Sequence, residues 1–349
     1  MKQVTAVKIG DMNAPDPDRR GRIEILDVPE KSVGDDEVKI MVAYCSICGS
    51  DPRVVGGISR WEPPFGIGHE LSGVVVEAGK TAASHGWKPG DRVGGNFRNY
   101  CGKCYYCTNG LEQWCEHVTE EPGMAEYVVW NERQPVKIPD DVSLKKACLI
   151  EPVSIAVRVM DKTHIKIGQN VVISGAGTIG LLCLQLINLY GAANLTVLEP
   201  IAERRELAKK YGAEYVFDPT KDDVVNWANK ITDNRGYDVC IEASGAPSAA
   251  ETLLEISAKC AHIVFAGQYP RDFYLPLNLY EQLYMKELDI TGTFVSPYAF
   301  TRTAHIIGRL DLDDMTSVVY PIDQAVEAFE AHLSGKNPKV LIQCNPCLD

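Results

Sequence analysis

The feature that most constrains the fold is a short glycine pattern that follows an apolar segment. The chain reads NVVISGAGTIGL, in which apolar residues lead directly into Gly175, Gly177 and Gly180. A strand, a turn and a helix in this order are typical of dinucleotide-binding βαβ units: the first glycine makes the turn, the second lets the backbone approach a pyrophosphate, and the third packs helix on strand. The helix N-terminus, with Thr178 and Ile179, would then face the phosphates.

The same alternation continues downstream. The segment NLTVLE ends in Glu199, 24 residues after Gly175, and DVCIEASG and HIVFAG again read as a strand followed by a glycine turn. This pattern predicts an α/β fold with a doubly wound parallel sheet. A carboxylate at Glu199 would accept hydrogen bonds from the ribose hydroxyls and repel a 2′-phosphate, which favours NAD. Arg204 keeps NADP open, because a nearby arginine can pair with that phosphate.

Four of the 12 cysteines form a compact cluster in the run YCGKCYYCTNGLEQWC. Two, two and seven residues separate Cys101, Cys104, Cys107 and Cys115. Four thiolates complete a tetrahedron around one ion and leave no open coordination position. The spacing therefore predicts a structural zinc whose binding energy contributes to folding. An iron–sulfur cluster is the alternative, although bacterial ferredoxins follow their third cysteine differently.

Three further fragments indicate a second, open metal site. The segment YCSICGSD contains Cys48, GHE contains His69 and Glu70, and IEP contains Glu151. Three protein ligands plus water is the pattern of a catalytic zinc. Each fragment alone is weak, because a lone cysteine is usually a small buried hydrophobe. The choice between Glu70 and Glu151 as the inner ligand stays open.

Length and charge set the broad class. At about 150 residues per domain, 349 residues predict two domains. The net charge of −12 argues against a nucleic-acid partner. Because the first residues lack an apolar signal region and the most apolar stretch, 180–198, is interrupted by polar residues, we expect no membrane span and a cytoplasmic location. In that compartment, clustered cysteines are more often metal ligands than disulfides.

Together these motifs resemble the zinc-dependent medium-chain alcohol and polyol dehydrogenases over essentially the whole chain. The segment EPVSIAVR is similar to the sorbitol and galactitol-1-phosphate dehydrogenase branch. The resemblance implies a GroES-like, β-rich catalytic domain from residues 1–152 and 294–349, and an NAD-binding Rossmann domain from 153–293. It also implies an active site in the interdomain cleft, an alcohol or ketone as the small-molecule partner, and a homodimer or homotetramer.

The resemblance further implies roles near the open site. The family motif CGSD supplies the metal-binding cysteine, which matches Cys48, whereas Cys45 reads as a neighbouring core residue. Ser50 matches the hydroxyl that contacts the substrate oxygen. Asp51 would orient His69 through its other ring nitrogen. In this branch Glu151 would ligate zinc or hold its water.

For the cofactor, the resemblance implies that the backbone at Ala266 and Phe294 meets the nicotinamide amide and that Lys339 reaches the pyrophosphate. The alternative for Lys339 is a solvated lysine at a strand end.

The sequence also departs from the family. Arg53 stands where many members carry a histidine that completes a proton relay. An arginine cannot accept that proton, so either water serves as the relay or Arg53 contacts the substrate or a cofactor phosphate. Val295 stands where sorbitol dehydrogenases place a substrate-gripping arginine, which puts sorbitol itself in doubt. The other candidate pocket residues, each equally consistent with a structural role, are Arg60, Trp61 and Arg158.

The sequence thus predicts zinc-dependent oxidation of a secondary alcohol of a polyol or sugar derivative, with two zinc ions per chain and hydride transfer to NAD. A sugar phosphate is a weaker possibility suggested by the arginines. The alternatives are a dehydrogenase of a simple alcohol, an amino-acid alcohol or an aldose, and a catalytically silent relative. We expect the terminal pair Cys344 and Cys347 to bind no metal.

Overall fold

The structure is a computed structural model that describes residues 1–58 and 61–348. The chain divides into two compact units, the first formed by Met1–Pro152 with Phe300–Asp349 and the second by Val153–Ala299. Within the described residues, no helix has the length and apolar character that a membrane crossing requires.

The strands, in chain order, are β1 (Lys2–Lys8), β2 (Arg22–Asp27), β3 (Glu37–Ser46), β4 (Phe65–Gly66), β5 (Glu70–Ala78), β6 (Arg92–Gly95), β7 (Arg98–Asn99), β8 (Thr119–Glu120), β9 (Tyr127–Asn131), β10 (Pro135–Lys137), β11 (Asn170–Ser174), β12 (Asn194–Leu198), β13 (Tyr215–Phe217), β14 (Tyr237–Glu242), β15 (Ser257–Phe265), β16 (Asp289–Gly292), β17 (Val319–Pro321) and β18 (Leu341–Gln343).

The α-helices are α1 (Asp51–Arg53), α2 (Lys80–Ser84), α3 (Tyr105–Thr108), α4 (Leu144–Ala147), α5 (Ile150–Thr163), α6 (Thr178–Tyr190), α7 (Ala202–Lys210), α8 (Val224–Ile231), α9 (Pro247–Ile256), α10 (Phe300–Ile306) and α11 (Ala325–Leu333). Short 3₁₀ or π turns are Val54–Ile58, Glu112–Trp114, Leu279–Met285, Ile307–Arg309, Asp314–Thr316, Ile322–Gln324 and Pro346–Leu348.

The second unit is built on a parallel six-stranded sheet in the order β13-β12-β11-β14-β15-β16. All five residues of the central strand β11 are buried. A continuous apolar run is what a strand covered on both faces needs. The strand order confirms the predicted doubly wound sheet. Its switch point lies between β11 and β14, where such sheets bind ligands at the carboxyl ends of their strands.

The first unit is β-rich. One sheet has the order β10-β6-β5-β3-β18-β17 with β9 also pairing with β3, and a smaller sheet has the order β2-β1-β4. The central strand β3 alternates between half-buried and buried residues over its first half and is fully buried from Val42 to Ser46. Apolar side chains of β3, β5 and α11 share one core.

Strand register brings distant residues to one end of this sheet. Ser46, the last residue of β3, pairs with Glu70 at the start of β5 and with Leu341 at the start of β18. Cys48 follows β3 by two residues, and His69 directly precedes β5. The antiparallel pairing therefore places Cys48 and His69 side by side.

Candidate metal and nucleotide sites

Three predicted ligands converge at that end of the sheet. Cys48, His69 and Glu70 each offer one ligand atom, and these atoms lie within 4.8 Å of one another. A thiolate, an imidazole and a carboxylate form a donor set that suits zinc and leaves one position open. Glu151 is not in this group of three. It lies in the first turn of α5 and is 5% exposed, and burial raises its pKa to about 7.

Asp51 organises this group with one carboxylate. Its Oδ1 lies 3.2 Å from Nδ1 of His69, and its Oδ2 accepts a hydrogen bond from the backbone N–H of Cys48 at 2.8 Å. Burial works to lower the pKa of His69, but the negative charges of Asp51 and Cys48 outweigh it and raise that pKa well above its usual value. The Asp51 contact leaves Nε2 of His69 available for a metal.

The other residues predicted near this site have varied surroundings. Ser50 precedes α1, and its backbone N–H donates to Cys48 Sγ at 3.5 Å. Arg53 ends α1 and is exposed. Trp61 is partly exposed and packs edge-on against Phe65. Arg60 lies outside the described residues, and Arg158 is a half-buried residue of α5 in the second unit.

The sequence did not predict Phe97 or Ser46 as site residues. The ring of Phe97 packs against His69, with 4.7 Å between the ring centroids. Ser46 donates a short hydrogen bond from its hydroxyl to Oε2 of Glu70. The only available signal was the position of Ser46 two residues before Cys48. Cys45 is fully buried and lies outside the group of three ligands, which agrees with a core role.

Lys339 has a partner that the sequence did not predict. Its ammonium donates to Oε1 of Glu70 at 2.7 Å, and the two side chains are 3% and 1% exposed. The alternative of a solvated strand-end lysine is therefore wrong, while a pyrophosphate contact stays a prediction. Although burial works to lower the pKa of Lys339, Glu70 raises it well above the usual range. Lys339 is thus the buried counter-charge of Glu70.

We expect Lys339→Met to lower the free energy of unfolding by about 3 kcal/mol, because removing one partner of a buried ion pair leaves the other charge uncompensated. Urea unfolding of the protein after removal of metal by a chelator measures this, because a zinc ion bound to Glu70 would itself compensate the carboxylate. Lys137→Met is the matched control, since Lys137 pairs with Asp91 at 2.9 Å but is 53% exposed. That variant should lose less than about 1 kcal/mol. Equal losses in both variants would contradict the role given to Lys339.

The second metal group is the predicted cysteine cluster. One sulfur from each of Cys101, Cys104, Cys107 and Cys115 lies within 4.8 Å of the others. Backbone N–H groups point at these sulfurs: Cys101 donates to Cys115 Sγ at 3.3 Å and Cys104 to Cys101 Sγ at 3.4 Å. The backbone N–H of Cys107 is the main cause that lowers the pKa of Cys104 to about 6. Among the described residues, Cys344 and Cys347 belong to neither metal group.

The predicted nucleotide turn shows why three glycines are needed. Gly175 adopts φ +97°, and a Cβ there would lie 2.9 Å from the backbone nitrogen of Ser244. A Cβ on Gly180 would lie 1.9 Å from the carbonyl oxygen of Gly175. At Gly177 a Cβ would meet no atom within 4 Å, so the backbone faces open space. The N-cap residue of α6 is Gly177, which has no side chain to cap the helix, and the N-terminus of α6 lies at this turn, as a pyrophosphate site requires.

Around this turn, Thr178 and Ile179 are half-buried in the first turn of α6. Glu199 follows β12 and is 3% exposed; its Oε2 accepts from the N–H of Ala176 at 2.7 Å and its Oε1 from Ile201 at 3.0 Å. The acid therefore contacts the glycine turn directly. Arg204 is a half-buried residue of α7.

Ala266 and Phe294 follow the neighbouring strands β15 and β16 at the same edge of the sheet. The backbone N–H of Ala266 donates to Glu242 at 2.8 Å, and Phe294 is 47% exposed. Val295 has φ +45°, an uncommon conformation for a β-branched residue, and such strain is most frequent near functional sites.

Comparisons with known families match both parts of the chain. Residues 34–140 match the alcohol dehydrogenase GroES-like domain, and residues 178–307 match the zinc-binding dehydrogenase family. D-arabitol-phosphate dehydrogenase of Enterococcus avium is 34% identical, covering 95% of this chain and 96% of that protein. L-threonine 3-dehydrogenase of Pyrococcus abyssi is 35% identical, with 91% and 94% covered. Sorbitol dehydrogenase of Bacillus subtilis is 30% identical, with 94% and 95% covered.

Solved structures agree along the whole length. A zinc-binding dehydrogenase of Clostridium scindens superposes with a TM-score of 0.92 at 32% identity, covering 98% of this chain and 99% of that one. A zinc-binding dehydrogenase of Sinorhizobium meliloti, bound to NADP, has a TM-score of 0.83 at 27% identity, with 98% and 100% covered.

Proposed function

The chain belongs to the zinc-dependent medium-chain alcohol and polyol dehydrogenase family, and from this membership we propose that it oxidises a secondary alcohol of a polyol or sugar derivative to a ketone, with hydride transfer to NAD. The observation that carries the proposal is the convergence of Cys48, His69 and Glu70 at one end of the β3–β5 pair. Three ligands of mixed type with an open position are what a catalytic zinc needs, whereas the four-cysteine group is closed.

We propose that Glu70 is the third ligand of the catalytic zinc and that Glu151 acts from outside this set. A carboxylate has about four acceptor sites. Lys339 contacts both oxygens of Glu70 and Ser46 contacts one, so one acceptor site remains for a metal. When bound, the zinc supplies a Lewis acid that favours the alkoxide form of an alcohol, and the nicotinamide accepts the hydride. With the cysteine cluster, this gives two zinc ions per chain.

The chain's own residues would position the substrate and move its proton. Ser50, half-buried beside Cys48, would take the proton of the alcohol through its hydroxyl, which both donates and accepts. Arg53 cannot continue this transfer, so water completes the path to solvent. Arg53 is exposed at the end of α1, and its guanidinium would bind an anionic group of the substrate.

The cofactor preference follows from Glu199. Its buried carboxylate contacts the glycine turn through Ala176, which places a negative charge beside the dinucleotide-binding turn. Such a carboxylate hydrogen-bonds to ribose hydroxyls and repels a 2′-phosphate. The NADP-bound Sinorhizobium meliloti relative shows that the other cofactor occurs on this fold, so the preference needs a direct test.

We expect Glu199→Ala to weaken NADH binding relative to NADPH binding by about tenfold, because the lost charge removes both the ribose hydrogen bonds and the repulsion. Titration of nicotinamide fluorescence measures both dissociation constants. Glu203→Ala, which removes an exposed acid in the first turn of α7, controls for net charge. An unchanged ratio of NADH to NADPH affinity in Glu199→Ala would refute the proposal that Glu199 selects NAD.

The substrate class rests on the relatives together with Arg53. The relatives act on arabitol phosphate and sorbitol, by their names, which supports a polyol or polyol phosphate. The L-threonine 3-dehydrogenase relative, at 35% identity, supports an amino-acid alcohol as the second candidate. Both classes carry a secondary alcohol, so the same metal site serves either.

A substrate screen tests the proposed function. The zinc-loaded protein is offered D-arabitol, sorbitol, their phosphates, L-threonine and simple alcohols with NAD, and NADH absorbance is followed. We expect the highest kcat/KM for a polyol or a polyol phosphate. If L-threonine alone is turned over, the second candidate, an amino-acid alcohol dehydrogenase, replaces the first. If none of the alcohols is turned over, the proposal is overturned.

We further propose that the chain forms a homodimer or homotetramer and has no nucleic-acid or membrane partner. The net charge of −12 supports the absence of nucleic acid, since a negative surface repels phosphate backbones. Light scattering coupled to size exclusion measures the assembly directly.

A further inference from the structure

A second acid lies beside Glu199 at the same edge of the nucleotide-binding sheet. Asp218 follows β13 as Glu199 follows β12, and Leu198 and Phe217 are paired in register. The backbone N–H of Glu199 donates to the carbonyl of Phe217 at 3.0 Å. Asp218 and Glu199 are therefore neighbours at the carboxyl ends of adjacent parallel strands.

The guanidinium of Arg205 contacts both of these residues. Its Nη1 donates to the main-chain carbonyl of Glu199 at 2.7 Å and lies 3.3 Å from Oδ2 of Asp218. The Arg205 side chain is 19% exposed and that of Asp218 is 7% exposed. Arg205 is thus held against the sheet by one carbonyl and one carboxylate.

Asp218 is a well-anchored anion. Its Oδ1 accepts from the hydroxyl of Thr220 at 2.6 Å, and its Oδ2 lies 2.9 Å from the ammonium of Lys221. The Thr220 hydroxyl, followed by Lys221, holds the pKa of Asp218 well below its usual range. The partner of Arg205 is therefore ionised throughout the neutral pH range.

The chemistry of this cluster bears on the 2′-position of the cofactor ribose. An arginine presents a planar fork that matches phosphate oxygens, and adjacent arginines near an adenosine ribose attract a 2′-phosphate. The sequence places Arg204 and Arg205 together, five and six residues after Glu199. In this structure Nη1 of Arg205 contacts the Glu199 carbonyl and the Asp218 carboxylate instead.

We infer that Asp218 is a positioning residue for cofactor specificity, and this inference rests on the proposed NAD-linked function. Asp218 holds Arg205 in place and so keeps a phosphate-binding guanidinium away from the 2′-position of the adenosine ribose. Glu199 then acts directly on the ribose, and Asp218 acts through Arg205.

Asp218→Asn tests this with binding constants for NADH and NADPH, measured by nicotinamide fluorescence on the zinc-loaded protein. The amide keeps the size of the side chain but loses the charge that holds Arg205. We expect NADPH binding to tighten relative to NADH binding by about fivefold or more. Adding Arg205→Ala to Asp218→Asn should remove this gain, because the gain depends on the released guanidinium.

Asp222→Asn is the matched control. It removes the same charge four residues away, where Asp222 Oδ2 accepts a hydrogen bond from the backbone N–H of Asp218 at 2.7 Å. We expect the ratio of NADPH to NADH affinity in this variant to match that of the wild type. A comparable gain in this control would overturn the inference, since a general charge effect would then explain the result.

If the role of Asp218 is purely structural, Asp218→Asn should weaken the binding of both cofactors equally, and that outcome would overturn the inference.

Arg205→Ala alone provides a second test that does not depend on the folding of Asp218→Asn. If Asp218 keeps Arg205 away from the 2′-position, this variant should change the ratio of NADPH to NADH affinity by less than about twofold. A selective loss of NADPH binding would show that Arg205 already reaches the phosphate. Failure of the wild type to bind either dinucleotide would instead overturn the proposed function on which the inference rests.

Discussion

Replacing Cys48 with serine is expected to lower kcat/KM at least about a thousandfold, equivalent to about 4 kcal/mol of lost transition-state stabilisation. A serine hydroxyl is far less acidic than a thiol and is a poor zinc ligand at neutral pH. Cys48 is only half-buried and follows the end of β3, so the cores of both units remain intact. Zinc content should fall from two ions per chain to one while the thermal unfolding midpoint changes little.

Cys45→Ala is the matched control for that experiment. Cys45 lies three residues earlier but is fully buried in the core of the first unit and outside the group of Cys48, His69 and Glu70. We expect this variant to keep both zinc ions and turnover within a few-fold of the wild type. Loss of one zinc ion from Cys45→Ala, or full activity of Cys48→Ser, would contradict the ligand assignment.

The nucleotide-binding turn was predictable from sequence because its constraints are local. The positive φ of Gly175 and the 1.9 Å approach at Gly180 arise within a stretch of a few residues. A strand–turn–helix pattern in the sequence therefore predicts these two features without knowledge of the rest of the fold. The doubly wound parallel sheet was predictable for a similar reason, since each βα unit repeats the same apolar run and glycine turn.

The surroundings of Glu70 were not predictable in the same way. Ser46 and Lys339 lie 24 and 269 residues from Glu70, and they meet because β3 pairs with both β5 and β18 in one particular register. A shift of one residue would turn each side chain to the opposite face of the sheet. Because β3 is buried on both faces from Val42 to Ser46, the hydrophobic pattern of the sequence does not fix that register.

The two arginines of α7 show a related limit. Sequence position singled out Arg204 as the residue near the cofactor phosphate, while the structure gives Arg205 contacts to Glu199 and Asp218. Successive residues on a helix are about 100° apart. Which of two adjacent residues faces the sheet therefore depends on how the helix is rotated against its strands, and helix rotation is set by packing.

The largest expected loss of stability comes from the four-cysteine group. Structural zinc sites contribute about 10–16 kcal/mol of binding energy that is at the same time folding energy. Cys107→Ser leaves three thiolates around an ion that needs four, and this segment contains only short helical turns, α3 and Glu112–Trp114, between its ligands. We expect one zinc ion to be lost and the thermal midpoint to fall by more than about 5 °C.

Limited proteolysis locates this loss. Lys103 lies between Cys101 and Cys104 and is exposed, so trypsin should cut after it once the backbone is no longer held around the metal. Cys347→Ser is the matched control, because it makes the same chemical change at an exposed cysteine outside both metal groups. That variant should keep two zinc ions and resist cleavage after Lys103. If Cys107→Ser also keeps two zinc ions and the wild-type midpoint, the cluster does not hold a structural metal, because a closed tetrahedral site cannot lose a ligand without losing affinity.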